Sequence, residues 1–242
     1  MEQIISISEA LLKRQSTRIY DPKPLASDVL KQITDYASSV EPLFPGLQSK
    51  VEIIGAPDVK SMMKWRAPHY LALYGEDSDE GRMNMAYIYE QVILYITSLG
   101  LGTCWATSVS PKEKHETGSM KWLAVIAFGK PDNGNGWRES SDIKRKPMSE
   151  ISDKNNSLLE AARIAPSSMN NQPWYFRHKD GEILVYCKKQ GLLTKWMIPQ
   201  NRIDIGIALG NLKTIHPELK FKPAAEKSEK DGYTLMGTIC FS

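Results

Sequence analysis

The sequence is poor in the residues that build disulfide, zinc or nucleotide-loop scaffolds. It has three cysteines, Cys104, Cys187 and Cys240, an odd and widely spaced set that makes neither a disulfide framework nor a zinc knuckle and points to a reducing cytoplasm. Its four histidines, His69, His115, His178 and His216, are scattered without metal-ligand spacing, so no metal site is expected. It contains no Gly-x-Gly-x-x-Gly run, which argues against a nucleotide fold of the Rossmann kind. Neither sign of charge dominates. The 31 Lys and Arg against 28 Asp and Glu leave a net charge of +3, too balanced for an extended nucleic-acid footprint, although a local basic cluster can still bind one phosphate. Long apolar runs are missing too. The longest, residues 86–109, is interrupted by Glu90 and Gln91 and closes on Gly100-Leu-Gly102, so it reads as a buried helix and not a membrane span. The N-terminal residues 1–10 carry acidic side chains and no apolar core of signal-peptide length, and nothing there supports secretion.

What is present is an ordinary globular mixture, 41% hydrophobic and 24% charged, arranged in two halves whose elements follow the same order. A basic segment opens each half, Arg14-Gln-Ser-Thr-Arg18 in the first and Lys144-Arg-Lys146 in the second. A helix follows, carrying Val29, Leu30, Ile33 and Ala37 at helical spacing in the first half and Leu158, Leu159, Ala162 and Ala165 in the second. Each helix runs into a loop with a serine pair. Strand candidates come next, at 50–54 and 70–74, then at 174–178 and 183–187, with a turn at Lys179-Asp-Gly181. A second helix is expected at 84–99 and again at 201–215, and each half closes on a β-like run, 122–128 and 233–241. The period of this weak repeat is far longer than that of a solenoid, and points to duplication of a whole domain. The join is expected within 132–141, where Asn, Gly, Ser and Asp cluster. It is either a linker between halves 1–135 and 142–242 or a surface loop in one continuous α+β domain.

The most specific stretch is Ala161-Ala-Arg-Ile-Ala-Pro-Ser-Ser-Met-Asn-Asn-Gln-Pro-Trp174. It resembles the Ala-Pro-Ser-x-x-Asn-x-Gln-Pro-Trp signature of the nitroreductase family. Arg14-x-Ser16-x-Arg18 resembles that family's N-terminal Arg-x-Ser motif, Leu99-Gly-Leu-Gly-Thr-Cys-Trp105 its Gly-Leu-Gly-x-x-Trp segment, and Ile126-Ala-Phe-Gly-Lys-Pro131 its Gly-x-Pro strand ending. In ordinary members the Pro-Ser loop follows the first helix; here that place holds Ser38-Ser-Val-Glu-Pro42, and the loop occurs only in the second half. The resemblance therefore implies an α+β nitroreductase-like fold made of two tandem degenerate halves, a pseudo-dimer. One chain would supply both parts of a site that ordinary members assemble from two subunits. A monomer with one FMN per chain is the expectation.

The same resemblance implies the site. Arg14 and Ser16 would hold the FMN phosphate through charge-assisted hydrogen bonds, and Arg18 would lie by the ribityl chain or pyrimidine edge. Arg145 and Lys146 would add to the phosphate pocket, unless 144–146 is simply a solvated charge run. Pro166, Ser167, Ser168 and Asn170 would form the loop over the flavin, unless that loop only stops a helix. Trp105, Thr107 and Ser108 would run past the ring system, Gly100 being a helix cap and Gly102 a tight turn. The implied reaction takes a hydride from NAD(P)H to FMN and then to a nitroaromatic, quinone or similar small acceptor. It requires no side-chain acid, base or nucleophile, so no catalytic residue is expected.

Competing readings are weaker or narrower. Cys104 with His69 or His115 has no local signature of a thiol hydrolase and reads as a packed thiol. Asp204 reads as a charge at a helix start. The acidic stretch from Gly75 to Arg82 borders the pocket or is a solvated loop. The serious alternative is a flavin-binding or flavin-free module of the same fold that does not turn over.

Overall fold

In the computed structural model, which describes residues 4–132, 136–139, 143–226 and 228–241, antiparallel strands alternate with helices that cross between two sheets. The first helix, α1 (Ile7–Lys13), was not foreseen. Its start is a capping box: Ser6 Oγ accepts from Glu9 N at 3.1 Å and Glu9 accepts from Ser6 N at 2.9 Å. Helix α2 (Ser27–Ser39) buries Val29, Ile33 and Ala37, the stripe its spacing predicts.

The first sheet contains β1 (Ser49–Gly55), β3 (His69–Glu76), β4 (Gly102–Trp105) and β6 (Met120–Gly129), ordered β1-β3-β6-β4. The second contains β7 (Trp174–Lys179), β8 (Glu182–Lys188), β9 (Leu219–Pro223) and β11 (Tyr233–Phe241), ordered β7-β8-β11-β9, with short β10 (Glu229–Lys230) also on β11. Every pairing between these named strands is antiparallel, and in both sheets the four strands follow the order first, second, fourth, third along the chain. A separate ribbon pairs β2 (Val59–Ser61) with β5 (Val109–Pro111).

Two long helices occupy the middle, α3 (Asp79–Ser98) and α6 (Ile198–Ile215). Both are buried on nearly all sides, which explains why their sequences read as apolar runs and not as amphipathic stripes. They approach closely because Gly206 and Gly210 carry no side chain. A methyl on Gly206 would collide with Met83 O and Ala86, and one on Gly210 would meet Tyr87 O at 2.7 Å. One apolar core spans both sheets, joining Leu71 and Phe128 of the first to Phe176 and Val185 of the second through these helices. No helix of the described residues is long and apolar enough to cross a membrane.

Several local expectations need correction. The helix expected at 157–165 is a single 3-10 turn, Ser157–Leu159, followed by one α-turn, α5 (Glu160–Arg163); Asn156 caps the start and Pro166 follows the end. Gly102 is not in a turn. It opens β4, and its bare Cα lets the Thr17 side chain lie against the strand. Gly100 does end α3 at positive φ, as a helix-capping glycine does. The basic segment 144–146 is followed by a short helix, α4 (Met148–Ile151), that the sequence reading omitted. The stretch from Gly75 to Arg82 is the end of β3 and the start of α3, with Ser78 as N-cap, and not a solvated loop. Residues 133–135 and 140–141 of the expected join lie outside the described residues.

Candidate functional site

A cleft of about 320 Å³ opens between segments from the N-terminal and C-terminal parts of the chain. One side comes from the segment after α1, the end of β4 and the face of β6; the other comes from the loop after α5 and the first turns of α6.

On the first side, Ser16 bridges in parallel to Thr103, and Thr17 N donates to Thr103 O at 2.9 Å, so the segment after α1 lies along β4. This pairing directs Ser16 and Arg18 into the cleft lining. Arg18 is exposed, and its guanidinium makes no hydrogen bond or ion pair among the described residues. Trp105 ends β4 and also lines the cleft; its Nε1 donates to Glu90 Oε2 at 2.8 Å. Thr107 and Trp122 complete this wall.

On the other side, residues 166–172 form a strained loop. Met169, Asn170 and Gln172 all have positive φ, a left-handed conformation uncommon for residues other than glycine and most readily adopted by asparagine. The restraints come from the signature residues themselves. Ser167 Oγ accepts from Gln172 N at 2.9 Å, Gln172 Nε2 donates to Asn170 O at 3.1 Å, and Gln172 Oε1 accepts from Lys146 N at 2.8 Å. The basic pair clamps the loop from outside: Arg145 Nε donates to Ala165 O at 2.8 Å, and Lys146 Nζ to Asn171 O at 2.8 Å and Gln172 O at 3.2 Å. From beneath, Ser168 N donates to Asp204 Oδ1 at 2.9 Å.

Two buried carboxyls flank the cleft. Glu90 has no exposed surface, and burial lifts it to about 7 against the opposing pull of Arg14, the Trp105 hydrogen bond and Arg145. Arg145 in turn is lowered to about 10, first by burial and then by Arg14. Asp204 is 2% exposed, and burial lifts it to about 7 despite the Ser168 N–H. Its Oδ2 has no hydrogen-bond partner among the described residues.

Of the residues singled out from sequence, Ser16, Arg18, Trp105, Thr107, Pro166, Ser167 and Ser168 line this one cleft. Arg14, Ser108, Arg145, Lys146 and Asn170 do not. Arg14 is buried beside Glu90 and Arg145, with Nη1 unpartnered among the described residues. Ser108 is exposed, Arg145 and Lys146 are engaged with loop carbonyls, and Asn170 Nδ2 donates to Lys144 O at 3.3 Å. Sequence reasoning missed Trp122, Gln200 and Asp204 as lining residues. Asp204 had been read as a helix-start charge, but α6 begins at Ile198 and Asp204 lies well inside it. The available signal was an acid within the apolar run Ile203-Asp-Ile-Gly-Ile207. Cys104 is buried, and burial raises its thiol, as expected of a packed cysteine.

The family model described as "Putative TM nitroreductase" matches residues 6–215. Among solved structures, a putative nitroreductase from Thermotoga maritima has a TM-score of 0.65 at 21% identity, covering 98% of this chain and 95% of that one. A putative NAD(P)H:FMN oxidoreductase from Staphylococcus epidermidis has a TM-score of 0.50 at 11% identity, covering 64% of this chain and 98% of that one. No curated protein matches. Likeness at these identities concerns the fold, an α+β arrangement of the nitroreductase kind.

Proposed function

Since the chain belongs to the putative TM nitroreductase family, we propose that it is an oxidoreductase holding one FMN in the cleft between its halves, with NAD(P)H as electron donor and a nitroaromatic, quinone or similar small molecule as acceptor. The observation that carries this reading is the meeting of Ser16 and Arg18 from one half with Pro166, Ser167 and Ser168 from the other around a single cleft.

The donor set fits such a cofactor. Arg18 brings an unpaired guanidinium, which suits a phosphate or a charge on the ring system. Ser16, Thr107 and Ser168 bring hydroxyls, and Ser167, whose oxygen already accepts from Gln172 N, keeps its O–H free to donate. Trp105 and Trp122 supply aromatic surface, and the buried Nε1 of Trp122 lacks a partner among the described residues. FMN, when bound, supplies the transfer of electrons between donor and acceptor. The chain's part is to hold and orient it. The strained 166–172 loop, locked by Gln172, Lys146 and Asp204, presents its serines without first having to order. Glu90 fixes the Trp105 ring through the indole N–H.

The two halves, 1–135 and 142–242, are read as a pseudo-dimer. Two features support this: the shared strand order, and a matched pair of hooks on the central helices. Asn84 Oδ1 on α3 accepts from Phe44 N at 3.1 Å in the stretch after α2, just as Asp204 on α6 accepts from Ser168 N after α5. A chain that contains both halves completes the cleft as a monomer.

The test is the visible absorption spectrum of the purified protein with and without added FMN, followed by anaerobic NADH and NADPH. Bound flavin at one equivalent per chain, bleached by a nicotinamide, is the expected result. Reduction without reoxidation by any acceptor would favour a flavin-binding module, and failure to take up added FMN would overturn the reading.

A further inference from the structure

The geometry points to Asp204 as a catalytic acid in this cleft, one that delivers a proton to the acceptor as the acceptor is reduced. The inference rests on the oxidoreductase reading above and adds a side-chain proton donor to it.

Asp204 does two things with its two oxygens. Oδ1 accepts Ser168 N at 2.9 Å and so supports the strained loop; Oδ2 is buried, lies in a residue that lines the cleft, and has no partner among the described residues. Anchoring a loop does not call for a carboxyl. On α3, Asn84 performs the same task with an amide, and its remaining group is used as well, Nδ2 donating to Leu47 O and Ser49 Oγ, both at 3.3 Å. Asparagine at 204 would cap Ser168 equally. An acid at 204 costs more to bury and leaves an unpaired oxygen, which is an expense a purely structural hook does not require.

The surroundings keep that acid able to exchange a proton. Cys187 of β8 is a buried thiol pushed up to about 11, so it stays neutral. Arg202, two residues along α6, is committed to Asp79 of α3 at 3.1 Å. Arg18, across the cleft, is the unpaired cation that shares its lining. No cation pairs with Asp204 itself among the described residues, so burial governs it and raises it to about 7, where a general acid is most effective near neutral pH.

The step balances for a quinone acceptor. Anionic reduced FMN, when bound, would supply the electron pair and one hydrogen to the quinone as a hydride. The proton leaves Asp204 Oδ2 for the quinone oxygen, where a new O–H bond forms as the carboxyl O–H breaks. The hydroquinone departs, and the carboxylate regains a proton from solvent.

The experiment compares two oxidants on protein reduced anaerobically with NADH: 1,4-benzoquinone, which must take up protons, and ferricyanide, which takes only electrons. In Asp204→Asn the ratio of the benzoquinone rate to the ferricyanide rate should fall on the order of a hundredfold. A ratio equal to that of the wild type would overturn the proposal while leaving the oxidoreductase reading intact. A wild type that takes up no FMN would overturn both. A readout independent of turnover and of the variant's folding is the carboxyl ¹³C resonance of Asp204 in flavin-free wild-type protein. It should titrate near neutrality, and titration in the ordinary carboxylate range would also overturn the proposal.

Discussion

The indole Nε1 of Trp105 donates to Glu90 Oε2 at 2.8 Å, joining the wall of the cleft to the middle of α3. A carboxyl with no exposed surface thereby orients an aromatic ring that faces the site, and its own charge is penalised by burial. This has a consequence for stability against pH. Glu90 and Asp204 are both raised in the folded state to about 7, so each binds a proton in the native chain that the unfolded chain has already lost. Their stabilising contribution is fully present below the unfolded carboxylate pKa and is lost as pH rises through about 7. Urea midpoints should fall between about pH 5 and about pH 8, and Glu90→Gln, which keeps an acceptor for Trp105, should flatten that dependence. Identical slopes in variant and wild type would contradict the assignment.

Arg18 and Arg14 should separate. Arg18→Ala removes an exposed, unpaired guanidinium from the cleft lining, and flavin affinity should drop by about tenfold to a hundredfold with little change in Tm. Arg14→Ala empties a buried position beside Glu90 and should cost about 1–3 kcal/mol of stability. Flavin titration and thermal melts of both variants provide the check.

Lys146→Ala deletes the clamp on Asn171 O and Gln172 O but leaves the backbone bond from Lys146 N to Gln172 Oε1. The loop should lose about 1–2 kcal/mol of local order, seen as faster amide exchange at Gln172, with flavin affinity weaker by about tenfold. Unchanged exchange would mean that Lys146 does not restrain the loop.

Gly206→Ala tests the helix crossing. Alanine gains about 1 kcal/mol of helix propensity, but its methyl has no room between Met83 O and Ala86. Forcing α3 and α6 apart should outweigh that gain and lower stability by about 1–3 kcal/mol in chemical denaturation.

Much of the fold was readable because it is written locally. The apolar stripe of α2, the apolar runs that became β3, β8 and β11, and the glycine that ends α3 each follow from a short window of sequence. The α1 capping box, Ser6-x-x-Glu9, was equally local but went unread. The helix expected at 157–165 is present over 157–163 but tighter and shorter than expected: its apolar residues satisfy a helical period, yet they serve a 3-10 turn running into one α-turn.

The site divides along the same line. Sequence alone determined which residues bear the recognisable chemistry, Ser16 and Arg18 near one end and Pro166 to Ser168 far along the chain, because those motifs are contiguous and their side chains are chemically distinctive. Tertiary structure alone decided how they are used. Arg145 and Lys146 turned inward to loop carbonyls because residues 166–172 adopt a strained path that needs charged donors to hold it. Asp204 became a wall of the cleft because Gly206 and Gly210 let α6 seat against α3, which buries a carboxyl that on an isolated helix would face water. Burial, and the partners it leaves a buried group without, arise only when distant segments meet, so no window of sequence contains them.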